Sequence, residues 1–163
     1  MSAFSRAEMS DAFEHYLTVG RACGESGDWT AWADLFTEDA HYWEHHYGHM
    51  EGREQIRYWI TSTMSTFPGT EMPWFVPEWH VIDEDSGRVV VYIQNRMRDP
   101  GDGSVHEAPN ITILRYAGDG LWSYEEDVYN TAQFATMILG WMERARQLGT
   151  LPDDVAFEIP EPG

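Results

Sequence analysis

Basic side chains are scarce: ten Lys and Arg stand against 28 Asp and Glu in 163 residues, a formal net charge of −18. A chain this acidic repels phosphate backbones and anionic headgroups, so neither nucleic acid nor a membrane surface is an expected partner. Cysteine occurs once, at Cys23. That excludes an intrachain disulfide, and Cys23 reads as a small buried helix residue. Long apolar runs are missing too. Nothing approaches the ~18 residues of a membrane span, and the first residues lack the basic start and apolar run of a leader. The expectation is a soluble cytoplasmic protein. Internal repeats and low-complexity blocks are also absent.

Metal and phosphate motifs fail on spacing. His41, His45, His46 and His49 cluster, but i,i+4 partners in a strand lie ~13 Å apart, and no Cys pair supports zinc. Gly101 and Gly103 are not followed by a helix, so they mark a turn rather than a phosphate loop. No metal and no cofactor is expected.

What the chain has is apolar and aromatic mass: 42% hydrophobic residues and 14% aromatics, with eight Trp and eight Tyr. That suffices for one domain with a real core. Ser5 with Glu8 suggests a capping box opening a helix to about Ser26, with Phe13, Leu17 and Gly20 on one face. Asp28 is placed to cap a short second helix carrying Trp29, Trp32 and Phe36. Residues 40–46 read as a strand, and a third helix follows Gly52 to about Thr66. Residues 67–77 hold three prolines and read as a loop, a plausible lid. Strands are expected at 78–82, 88–98, 105–116 and 121–129, joined by Gly- and Asp-rich turns. A last helix spans 131–148, and residues 151–163 form an acidic, Pro-containing tail outside a domain of residues 1–150. This order predicts an α+β fold: a curved antiparallel sheet, wrapped into a cone by three N-terminal helices and one C-terminal helix.

Gly27-Asp28-Trp29, Leu35-Phe36-Thr37-Glu38-Asp39-Ala40, Gly52-Arg53-Glu54-Gln55-Ile56 and Gly118-Asp119-Gly120-Leu121-Trp122 with Asp127 resemble the NTF2-like superfamily and its SnoaL-like family. The resemblance covers nearly the whole chain in element order and implies a cone with a deep pocket. It is specific for fold rather than function, because this frame carries enzymes, binding subunits and transport adaptors. Against the ketosteroid isomerases it implies a general base at Glu44. Against limonene epoxide hydrolase, whose Tyr-x-Asn pair reads Tyr42-Trp43-Glu44 here, it implies a catalytic Asp127. Against scytalone dehydratase it implies Glu25, His80 and Asn110. Each set is incomplete: the epoxide hydrolase Arg-x-Asp falls on Ile93 and Asn95, the isomerase's second acid on Thr112, and its helix tyrosine one turn from Tyr16. The dehydratase's second histidine falls near Asp99.

Alternation groups Tyr42, Glu44 and His46 on one strand face, with His41, Trp43 and His45 opposite. On 121–129, Glu125, Asp127 and Tyr129 share a face against Trp122, Tyr124 and Glu126. Pattern alone buries the Trp122 face; the resemblance turns Asp127 to the cavity and Trp122 and Tyr124 to an outer apolar face suited to a homodimer. The resulting expectation is a cofactor-free isomerase, dehydratase or polyketide cyclase acting on a small apolar polyketide-, terpenoid- or steroid-like molecule. Glu44 or Asp127 is the base and His80 the partner acid, with Tyr42, Asn95, Asn110, Thr112, Tyr129 and Glu25 around the substrate. The alternative is a noncatalytic hydrophobic-ligand binder, or an accessory subunit like the small subunits of ring-hydroxylating dioxygenases.

Overall fold

The computed structural model describes residues 4–153 and 155–157. Ser5 caps the first helix by accepting the Glu8 N–H at 3.2 Å. Helix α1 then runs Arg6–Ser26 and ends where Gly27, at φ 76°, takes the left-handed C-cap and donates to the Cys23 carbonyl. Its buried stripe is Met9, Phe13, Tyr16, Gly20 and Cys23. Gly24 lies so close to residue 73 that a Cβ there would sit 2.1 Å from the Pro73 carbonyl oxygen. Asp28 accepts the Thr30 N–H at 2.9 Å, but the turn it starts is a 3-10 helix, Thr30–Leu35, rather than an α-helix.

Strand β1, Phe36–Glu44, begins four residues before the expected start, and a turn carries the chain into β2, Gly48–Glu51, a strand no pattern announced. Helix α2, Arg53–Met64, is tied to the start of β1 by a 2.7 Å bond from Arg53 Nε to the Phe36 carbonyl. A 3-10 turn at Gly69–Glu71 precedes β3, Trp74–Asp83. The expected loop at 67–77 is thus partly strand. Pro77 is tolerated because β3 is an edge strand with a register shift between Pro77 and Trp79. Strands β4, Arg88–Arg96, β5, Glu107–Gly118, and β6, Leu121–Tyr129, follow, then helix α3, Thr131–Leu148, capped by Asn130 and Gly149.

The six strands form one curved, unclosed sheet in the order β2-β1-β6-β5-β4-β3. All neighbours are antiparallel except β1 and β6, which run parallel. The one parallel pair refines the expected antiparallel sheet: the two strands are joined by a long connection, not a hairpin. One core cluster lies between α1, the first 3-10 helix, α2 and the sheet; a second lies under α3. Leu151, Val155 and Phe157 pack against the second cluster. Residues 154 and 158–163 of the predicted tail lie outside the described residues. No described helix is long and apolar enough to cross a membrane.

The register of β6 decides which side chains face inward. Arg115 pairs with Tyr124 but Tyr116 pairs with Trp122, leaving Ser123 as an extra residue. This bulge breaks the alternation. Trp122 is therefore 0% exposed in the core, on the same side as Glu125 and Asp127, while Tyr124 stays outside and donates to Glu126 at 2.8 Å. The expectation that Trp122 lies on the outer face is corrected by that one inserted residue.

Candidate functional site

Inward rows of the sheet assemble the site. Asp127 is opposed by Thr112 on β5 and by Glu44 on β1; Glu125 is opposed by Leu114 and Tyr42; Tyr129 is opposed by Asn110. All of these side chains except Leu114 line the polar end of a cavity of about 210 Å³. Most of its remaining wall is apolar and aromatic, including Trp29, Trp32, Trp59, Met64, Phe75, Ile93, Phe134 and Phe157, with Arg21, His46, Thr63 and Thr131 also in the lining. The volume exceeds the ~150 Å³ of an apolar cavity that holds benzene.

Asp127 is the centre of a donor cluster. Oδ1 accepts from Asn110 Nδ2 at 3.0 Å and from the Thr112 hydroxyl, and Oδ2 accepts from the Tyr42 hydroxyl. Asn110 is itself held by Asn95, whose Nδ2 donates to Asn110 Oδ1 at 2.7 Å. Burial pushes the Asp127 carboxyl up to about 6, against the Thr112 and Tyr42 hydrogen bonds that favour its ionised form; the Glu44 charge adds to the rise. Three of about four lone-pair positions are filled, leaving one for a proton from a bound molecule.

Glu44 is buried at the end of β1 and lines the same cavity. Its Oε2 accepts the backbone N–H groups of His46 and Tyr47 at 2.7 and 2.6 Å, which pins it to the β1–β2 turn. Tyr129 stands beside it with its phenol pushed upward, by burial first and then by the Glu44 charge, so it stays a protonated donor. Its ring packs on Phe134 at 4.5 Å.

Alternation groups Glu125 with Asp127, yet neither pattern nor resemblance gives it a role. It is 1% exposed; Oε1 accepts from the Tyr16 hydroxyl at 2.8 Å and lies 2.9 Å from the Tyr42 hydroxyl oxygen. Burial, then the Asp127 charge, pushes its carboxyl well above the usual range. Tyr16, a turn out of place against the isomerase pattern, lines the cavity and directs its hydroxyl at this acid. Two acids at i,i+2 on the face that carries Asp127 are the available signal for Glu125.

The structure brings together Tyr42, Glu44, Asn95, Asn110, Thr112, Asp127 and Tyr129. It does not bring in His80 or Glu25. His80 sits in the row of Asp127, opposite Val91, but on the edge strand three strands away, about 14 Å at the usual strand spacing. Its exposed ring lies on Phe13 at 4.7 Å. This removes it as partner acid. Glu25, in the last turn of α1, is exposed and outside the cavity lining. His41 and His49 meet across the β1–β2 hairpin at 2.8 Å on the outer face, and His45 bonds Glu126 at 2.9 Å. Among the described residues no group of three or more His, Cys, Asp or Glu is placed to hold a metal.

Known structures share this frame. A Mycobacterium tuberculosis LEH-like epoxide hydrolase matches at 11% identity with a TM-score of 0.64, covering 90% of this chain and 95% of its own. A putative SnoaL-like polyketide cyclase from a Jannaschia species matches at 18% and 0.63, covering 85% and 97%. A Catenulispora acidiphila protein of ketosteroid isomerase-like fold, solved with trimethylamine, matches at 21% and 0.60, covering 76% and 91%. These likenesses concern the fold. No curated protein matches the chain. The model of the SnoaL-like domain matches residues 5–142, and it spans every element from α1 into α3, so the chain belongs to the SnoaL-like family.

Proposed function

We propose that the chain is a cofactor-free acid–base enzyme of the isomerase, dehydratase or cyclase type. Its substrate is a small, mainly apolar molecule of polyketide, terpenoid or steroid type. One observation carries the reading: Asp127 is a carboxyl in an aromatic cavity, poised near 6 and held by three donors with one lone pair open. A base of that strength can take a proton next to a carbonyl near neutral pH and return it elsewhere on the same molecule. Tyr42, Asn110 and Thr112 fix the carboxyl, with Asn95 behind Asn110, while Tyr129 faces a substrate oxygen. Asp127 is preferred over Glu44, whose Oε2 is engaged by the turn.

The test is turnover of a panel of enolisable polycyclic ketones and polyketide-like substrates, read by mass spectrometry and NMR. Conversion by the wild type, lost in Asp127→Asn and largely kept in Glu44→Gln, supports the assignment. Full turnover in both variants overturns it.

A second reading is a binder without chemistry, free or as an accessory oxygenase subunit. It is favoured by Ile93 and Asn95 in the cavity wall, where the epoxide hydrolase relay would stand. Saturable ligand binding with no conversion, or copurification with a larger oxygenase chain, selects it. In either reading the outer row Trp79-Tyr92-Ile111-Val128, in which Trp79, Ile111 and Val128 are exposed, is assigned to a homodimer contact. Sedimentation at twice the chain mass supports that contact, and a monomer refutes it.

A further inference from the structure

Three hydrogen-bond contacts run in series at the polar end of the cavity: Tyr16 hydroxyl to Glu125 Oε1, Tyr42 hydroxyl to the same Oε1, and Tyr42 hydroxyl to Asp127 Oδ2. Each contact needs one proton between its two oxygens. The two phenols supply one each. With both carboxyls ionised, two protons would serve three contacts, and Tyr42 could satisfy only one of its acids. A third proton therefore sits on Glu125 or on Asp127.

The surroundings of the two acids differ. Both acids line the cavity, but Asp127 has two further donors, Asn110 and Thr112. Glu125 is 1% exposed and has no donor beyond the two phenols. Its Oε2 is buried with no partner among the described residues. The groups that face it are Tyr16 from α1, Tyr42 from β1, Leu114 from β5 and Asp127 on its own strand. Glu44 and Tyr129 belong to the neighbouring rows around Asp127. No cation is in hydrogen-bond contact with Glu125 among the described residues. Ionisation at such a place is unfavourable.

We infer that Glu125 is held as a neutral acid and serves as the positioning residue of the site, turning the Tyr42 hydroxyl onto Asp127 and confining the single negative charge of the pair to Asp127. The relay then runs one way: Tyr16 donates to Glu125, Glu125 to Tyr42, and Tyr42 to Asp127. Bonds aligned in this sense reinforce one another. The role of Asp127 as base rests on the proposed function; the location of the proton does not.

Carboxyl 13C NMR of the labelled chain from roughly pH 4 to 9 tests this, with Glu125→Gln and Asp127→Asn identifying the two resonances. The expected result is a Glu125 signal at the protonated position throughout and an Asp127 signal titrating at about 6. In Glu125→Gln, which keeps a neutral side chain, the Asp127 midpoint should stay within about half a unit. A Glu125 signal that ionises in this range overturns the inference. So does a fall of the Asp127 midpoint by about one unit or more in Glu125→Gln, the relief expected if a like charge had been removed. Tyr16→Phe is the second variant, in case Glu125→Gln does not fold: Glu125 is again expected to stay protonated, and its titration overturns the inference. The titration is read without substrate, whereas loss of turnover in Asp127→Asn reads the base, so each can fail alone.

Discussion

Replacing Asp127 by Asn removes a charge that burial disfavours while keeping the shape of the protonated acid. The carboxamide oxygen introduced there can still accept from Asn110 and Thr112, and its nitrogen can donate to Tyr42, which then donates to Glu125. The carboxyl titrates at about 6 in the fold against an ordinary 3.8, so the folded state holds this proton more tightly than the unfolded chain. Its stabilising share is complete below about pH 3.8 and is lost as pH rises through 6. A shift of roughly two units corresponds to about 3 kcal/mol. Asp127→Asn should therefore be more stable than wild type by up to about 3 kcal/mol at pH 8, but by under about 1 kcal/mol at pH 4. In a domain of this size the pH 8 gain is a Tm rise of about 6–12 °C. Urea and thermal denaturation of both proteins across the pH range measure it, and taking the difference cancels the titrating groups that the Asp127 charge does not reach. A variant that is equally or less stable at pH 8, with a curve parallel to wild type, would refute the claim that burial raises this carboxyl.

Other outcomes follow from single contacts. His80→Ala should leave ligand binding and turnover unchanged and cost less than about 1 kcal/mol by denaturation, because His80 is itself exposed, with its ring lying over Phe13. Trp122→Ala should cost about 3–5 kcal/mol, since the bulge at Ser123 seats this indole at 0% exposure in the core. A loss under about 1 kcal/mol would place it outside. Gly24→Ala should lose about 1–3 kcal/mol in urea denaturation, because the new Cβ meets the Pro73 carbonyl at 2.1 Å, and backbone cannot swing aside as a side chain can. Tyr42→Phe removes a donor from Asp127 and should move its midpoint above 6 by NMR titration, since the lost bond favoured the ionised form.

Elements whose instructions are local were legible in the sequence. Helix α3 runs over the expected 131–148, with a capping Asn before it and a glycine after it. The Ser5 cap opens α1 and the helix ends at the expected Ser26. Alternation on β1 separates Tyr42 and Glu44 from His41 and Trp43, and the structure keeps that division, with the first pair lining the cavity and the second on the other face. What failed depended on long-range pairing. One extra residue at Ser123 puts Trp122 and Asp127 on the same side, which neither strict alternation nor the family pattern allows for. Strand β2 is four residues long and exists because β1 pairs with it. Pro77 broke the strand pattern because nothing local says that β3 is an edge. His80 lies on the right face, yet strand order, not pattern, puts it at the far end of the row. Glu125 is visible as a neighbour of Asp127, but its role needs Tyr16 and Tyr42 from two distant segments.

The central claim is that Asp127 takes a proton from carbon in this cavity. Incubating the protein in D2O with small apolar ketones and following deuterium incorporation by NMR tests it without knowing the natural substrate. The account predicts exchange with wild type that rises as pH passes through about 6 and falls by roughly 100-fold or more in Asp127→Asn. Ketones that bind the cavity but exchange no faster than in buffer, or exchange equally fast with Asp127→Asn, would contradict it.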